Sequence, residues 1–133
     1  MKRNRREARQ YAFQTLYANE FHGVGDEVIF PEGELNLSMD QDYAKKIING
    51  VLEHLQIIDE SLAPYCKKRP LPRMDTVDRS ILRIAVWELT YNREELSPSI
   101  VINEAVQLAK LFGSDTSYKL VNAILDGYYK NLP

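Results

Sequence analysis

The chain has 133 residues, one cysteine, 44% hydrophobic and 27% charged residues, and a formal net charge of −2. That is enough chain for one domain with a core of its own. A lone Cys66 leaves no internal disulfide framework and no cysteine metal cluster. The charge is uneven. Residues 1–9 carry Lys2, Arg3, Arg5, Arg6 and Arg9 against the single acid Glu7, a net +4, and leave −6 on the rest. A basic arm on an acidic body points to a local anion-binding site.

The first predicted helix covers residues 4–21, where Ala12, Phe13, Leu16, Tyr17 and Phe21 recur at helical spacing. Arg5, Arg6 and Arg9 crowd one side of its first turns. Cations at a helix amino terminus oppose the macrodipole, which is a reason to look for a partner that holds them there. The plain alternative is a solvated basic tail. The stretch His22 to Leu37 reads as a loop broken by Gly23, Gly25, Pro31 and Gly33. From Glu20 to Asp42 the chain carries seven acids and no Lys or Arg.

A second helix is expected to open at Ser38, with Gln41 in capping-box register. Tyr43, Ile47, Val51, Leu55, Ile58 and Leu62 continue its stripe to about Tyr65, with a break expected near Gln56–Asp59. His54 has no second ligand at metal spacing. Lys67, Lys68, Arg69 and Arg73 make a second basic segment, which Pro70 and Pro72 hold out of helix. It reads equally as a stiff exposed linker or a solvated connector.

The stretch from Asp75 to Tyr91 is apolar on almost every side, at Val77, Ile81, Leu82, Ile84, Ala85, Val86, Trp87 and Leu89. A helix of that kind is buried, with other elements packed around it. At roughly 16 residues it is short of a bilayer span. Its polar strip is Asp78, Arg79, Arg83 and Thr90, and Arg79 and Arg83 are expected to share the face that reaches solvent. Asp75 suits its N-cap and Asp78 its dipole. Ser97-Pro98 opens the next helix, whose stripe is Val101, Ala105, Leu108, Ala109 and Phe112, and Gly113 ends it. Ser114 is the expected cap of the last helix. Val121, Ile124, Leu125 and Tyr128 pack inward there, with Lys119 and Asn122 outside.

The pattern predicts an all-α fold of six or seven helices, in two small bundles around the buried central helix. Residues 1–133 form one domain, with subdomains at about 1–66 and 74–133. The charged amino terminus, with no apolar run after it, gives a cytoplasmic protein as the expectation. No nucleophile elbow, metal spacing or glycine fingerprint is present. The expectation is a binding protein, not an enzyme, with no cofactor and no metal. Arginine forks beside aromatics at Tyr11, Tyr17, Phe112 and Tyr118 suit single-stranded RNA, although packing is the commoner role of each ring. A helix-turn-helix around Gly113 is disfavoured, because Lys119 is the one cation on the first turns of the helix that follows.

Three stretches together resemble the NusB family of bacterial transcription antitermination factors: RREARQYAFQTLYA at 5–18, VDRSILRIAVWEL at 77–89, and VINEAVQLAKLFGSDTSYKLVNAILD at 101–126. The resemblance runs almost the whole length. It implies binding of the boxA element of nascent RNA together with the ribosomal protein NusE, in a complex that joins RNA polymerase and other Nus factors and suppresses termination without catalysis. It places RNA contacts on Lys2, Arg5, Arg6, Arg9, Arg83, Lys119 and Asn122, and the partner surface on Tyr17 and Asp78. Glu7 interrupts the basic run. On this reading Arg6→Ala or Arg9→Ala weakens RNA binding and leaves thermal stability nearly unchanged. The alternatives are a purely protein-binding helical module, or a fold akin to the RNA-binding domain of certain ribosomal RNA methyltransferases, whose catalytic domain this chain is too short to contain. The charge asymmetry is also compatible with a homodimer that covers the arginine face.

Overall fold

The computed structural model describes residues 4–20, 39–93 and 96–132. Six α-helices run α1 Arg5–Asn19, α2 Gln41–Glu53, α3 Leu55–Leu62, α4 Thr76–Tyr91, α5 Pro98–Phe112 and α6 Ser117–Lys130. Two short 3-10 turns, Ala63–Tyr65 and Leu71–Arg73, link α3 to α4. There is no strand among the described residues. A single bridge pairs Asn4 with Met39 and ties the start of α1 to the start of α2.

The α4 helix is the centre of the fold and packs against each of the other five. Its buried side chains include Ile81, Leu82, Ile84, Ala85, Val86, Trp87 and Leu89. Each large one contributes about 1.5–3 kcal/mol of transfer free energy. Around it lie the stripes of Ala12, Phe13 and Leu16 on α1 and Ile47, Ile48 and Val51 on α2. Val101, Leu108 and Ala109 of α5 and Val121, Ile124 and Leu125 of α6 complete the shell. Trp87 fits only because position 50 has no side chain: a Cβ there would stand 2.1 Å from the indole Nε1.

The helix ends follow capping chemistry, with some departures from the sequence reading. Asn4 caps α1 by accepting from the Glu7 amide, and Asp75 caps α4 by accepting from Val77. The cap of α2 is Asp40, whose carboxylate accepts from the Tyr43 amide at 3.0 Å. The expected cap, Ser38, lies outside the described residues, as do Lys2 and the predicted loop at 22–37. The break between α2 and α3 falls at His54, earlier than expected. There the backbone leaves the helical region while His54 stacks on Tyr91 at 4.2 Å, and the Ile58 amide still bonds the His54 carbonyl.

Gly113 does end α5, but with an extended backbone at φ −93°, not a left-handed one. Glycine is needed there for close approach, since a Cβ would meet the Ser117 hydroxyl at 2.5 Å and the Ala109 carbonyl at 2.7 Å. Ser114 does not cap α6. Thr116 holds that position, and the Ser117 hydroxyl accepts from the Ser114 amide at 2.9 Å.

The polar strip of α4 does not reach solvent as expected. Asp78 is buried, and the Thr90 hydroxyl pairs with the Tyr128 hydroxyl at 2.7 Å. Arg79 and Arg83 do share a face, but Glu20 at the end of α1 and Asp59 of α3 cover it.

Candidate nucleic-acid interface

The amino-terminal turns of α1 place their three arginines in three environments. Arg5 lies over the Tyr43 ring at 4.3 Å and 3.8 Å from the Asp40 carboxylate. Arg6 is the outward one: its side chain is 60% exposed, and its guanidinium forks onto the Glu104 carboxylate with two bonds of 3.1 Å. That carboxylate is the main reason the Arg6 pKa is raised.

Arg9 points inward. It donates to Glu88 at 2.9–3.1 Å, with side-chain exposures of 5% and 2% for the pair. The Tyr43 hydroxyl donates to the same carboxylate at 2.6 Å and accepts from the Asn92 amide at 3.0 Å. Burial pushes the Tyr43 phenol well up, and the Glu88 charge adds to it. Burial alone would weaken the positive charge on Arg9, but Glu88 outweighs it. The expectation that Arg9→Ala leaves stability unchanged therefore does not hold: it would leave Glu88 buried with its guanidinium partner gone.

Between α1 and α5 lies a groove of about 320 Å³ with Arg6, Gln10, Glu104, Gln107, Lys110 and Leu111 among its walls. Lys110 also reaches over the Tyr118 ring at 5.2 Å, and Lys119 does so at 5.9 Å. The groove thus continues into a cation–aromatic cluster where α6 begins, and Asn122 is exposed one turn further on. Arg6 lines this groove and Lys119 connects to it through the Tyr118 ring, whereas Arg5 turns to Tyr43 and Asp40 at the start of α2. Arg83 does not line the groove. Asp59 holds its guanidinium with bonds of 2.9 and 2.8 Å, and Glu20 holds it from the other side.

Tyr17 connects to the end of α5 through Phe13, and the buried Asp78 lies against the start of α6. The Tyr17 ring lies 5.9 Å from Phe13, which stacks on Phe112 at 4.8 Å. Asp78 faces Ser117, whose hydroxyl bond partly offsets the burial that pushes this carboxyl up. Its Oδ1 has no hydrogen-bond partner.

Sequence reasoning missed Glu88, Glu104 and the two groove glutamines. One signal for the first was present: Arg9 falls on the stripe of Ala12, Phe13 and Leu16, so its side chain had to enter the core.

Among the described residues no group of three His, Cys, Asp or Glu side chains is placed to hold a metal ion. Burial pushes the Cys66 thiol up, away from the reactive thiolate. No helix among them is long and apolar enough to cross a membrane. The fold and this surface define a small all-helical binding module, with a basic, amide-lined groove at one end.

Comparison with known proteins agrees with that class. The NusB family model matches residues 6–130. The transcription antitermination protein NusB of Aeromonas salmonicida is 40% identical over 131 residues, covering 96% of this chain and 94% of that one. A structure of T. maritima NusB superposes with a TM-score of 0.84 at 33% identity, over 98% of this chain and 94% of that one. A crystal structure of the antitermination factors NusB and NusE in complex with double-stranded RNA gives 0.80 at 26% identity, over 96% of each chain. The chain belongs to the NusB family.

Proposed function

We propose that this chain is an RNA-binding transcription antitermination factor. With the ribosomal protein NusE it binds a boxA-type single-stranded element of nascent RNA and helps RNA polymerase, through other Nus factors, to pass terminators. The observation that carries the reading is the exposed Arg6 fork at the mouth of the α1–α5 groove, with Lys110 on the far wall, on a scaffold of this family. Arginine forks hold phosphate in two-point contact, and unstacked bases need apolar and amide surface beside them.

In this reading Arg5, Arg6, Lys119 and Asn122 face RNA, with Lys2 preceding them in the chain. Arg9 holds α1 in place from beneath, and Arg83 braces α1 and α3 against α4. Tyr17 belongs to the protein-partner surface, and Asp78, buried against Ser117, supports the start of α6 from within and does not face the partner. No covalent step is involved, and no residue acts as nucleophile or base.

Fluorescence anisotropy tests the reading. A short labelled boxA-type RNA, a scrambled RNA and a DNA of the same sequence are titrated with and without NusE across a salt series. Selective RNA binding that NusE tightens, with a salt slope of roughly −0.7 per phosphate contact, is the expected result. Equal weak binding to all three, unaffected by NusE, would leave a helical protein-binding module with a generic basic arm.

A further inference from the structure

The groove between α1 and α5 holds two kinds of chemistry that a basic patch does not need. The first is an acid. Glu104 meets Arg6 fork to fork, with its own side chain only 14% exposed. A carboxylate and a phosphate present the same two-oxygen edge to a guanidinium. The second is a pair of side-chain amides from different helices, Gln10 and Gln107, on the walls of the same groove. Neither has a hydrogen-bond partner among the described residues. Leu111 lines the groove too and is 60% exposed, which gives a flat base an apolar surface to lie on. A volume of about 320 Å³ suits a small ligand and not a helix or strand of a protein partner.

We infer that this groove is a single-nucleotide subsite, in which Glu104 occupies the place of an RNA phosphate at Arg6 until RNA displaces it, and Gln10 and Gln107 read the edge of one unstacked base. The inference rests on the RNA-binding reading and deepens it. Glu104 is then an internal competitor: it holds the Arg6 fork in a binding geometry and lowers the affinity for backbone that lacks a base to fill the groove. Once displaced, the Glu104 carboxylate keeps the attraction of Arg9 beneath it. Amides suit base reading because each offers both donor and acceptor, so two of them distinguish edges that charge alone cannot.

The test uses the full chain with NusE and a boxA-type RNA in which each base is substituted in turn. Glu104→Gln is expected to bind about two- to fivefold tighter, the range set by an exposed ion pair. Its salt slope should stay near the wild-type value, because Arg6 contacts the phosphate in both complexes and only the competing carboxylate is gone. Gln107→Ala and Gln10→Ala are expected to keep the wild-type salt slope and to lose discrimination at one base position. These two variants leave the ion pair untouched, so they test the subsite even if Glu104→Gln does not fold. A folded Glu104→Gln that binds with unchanged or weaker affinity overturns the phosphate assignment. Glutamine variants that keep full discrimination overturn the base assignment. Either result beside a selective wild type sinks the subsite alone, whereas a wild type without selectivity sinks the RNA reading itself.

Discussion

Arg9 and Glu88 lie 79 residues apart in the chain and close into a buried ion pair with a shortest bond of 2.9 Å. The pair joins the basic helix α1 to the central helix α4. Arg9→Ala is expected to cost about 3–5 kcal/mol of folding stability, because it leaves a charge buried without its ionic partner. Chemical denaturation followed by circular dichroism measures this. Arg9→Met combined with Glu88→Leu should recover most of the loss, since a well-packed apolar pair of similar volume replaces the ions. A single variant as stable as wild type would show that the pair is not needed.

Arg6 gives the opposite result. Its side chain is largely exposed, so Arg6→Ala should leave the thermal midpoint nearly unchanged. RNA affinity should fall, and the salt slope should lose roughly 0.7. Calorimetry and anisotropy on one preparation read both effects.

Gly50 is set against Trp87, where a Cβ would stand 2.1 Å from the indole nitrogen. Gly50→Ala gains about 1 kcal/mol of helix propensity. It costs about 3 kcal/mol in forced displacement of a packed ring. A net loss near 2 kcal/mol in urea unfolding is expected, and a stabilised variant would contradict the packing described for this contact.

Glu20 sets the acid limb of stability. Burial works against its ionisation, but Arg79 and Arg83 together hold its carboxyl below the usual range. The folded state therefore binds this proton less readily than the unfolded chain. The stabilisation is present above the unfolded value of about 4.5 and is lost as the pH falls through the lower, folded value. Glu20→Gln should be less stable than wild type at neutral pH, and the gap should close progressively under acid. A gap constant from neutral pH to pH 3 would rule out the ionic origin.

Much of the fold was legible in local pattern. The α4 helix stood out because its apolar residues leave no broad polar face, and Asp75 at its cap follows from the same local rules. The resemblance in three stretches also had the family right. What local pattern could not supply was the anion opposite each arginine. Glu104 is 98 residues from Arg6, Glu20 is 59 from Arg79, and Asp59 is 24 from Arg83. No spacing rule reaches across such separations. That is why the Arg79–Arg83 face was expected in solvent and is instead covered. The break at His54 was hidden because the apolar stripe runs unbroken through it. The serine caps expected at 38 and 114 compared side chains of similar propensity, where tertiary contacts decide.

Trp87, the chain's one tryptophan, is 4% exposed on the helix that every other helix touches. Its indole is thus an intrinsic optical probe of the whole core. Intrinsic emission should follow global unfolding in a single transition and match the loss of helical signal. The groove proposed for RNA is walled by α1 and α5, and Trp87 is not among its residues. Ligand titrations should therefore leave that emission steady, so one unlabelled sample can distinguish a chain that has lost its ligand surface from one that has lost its fold.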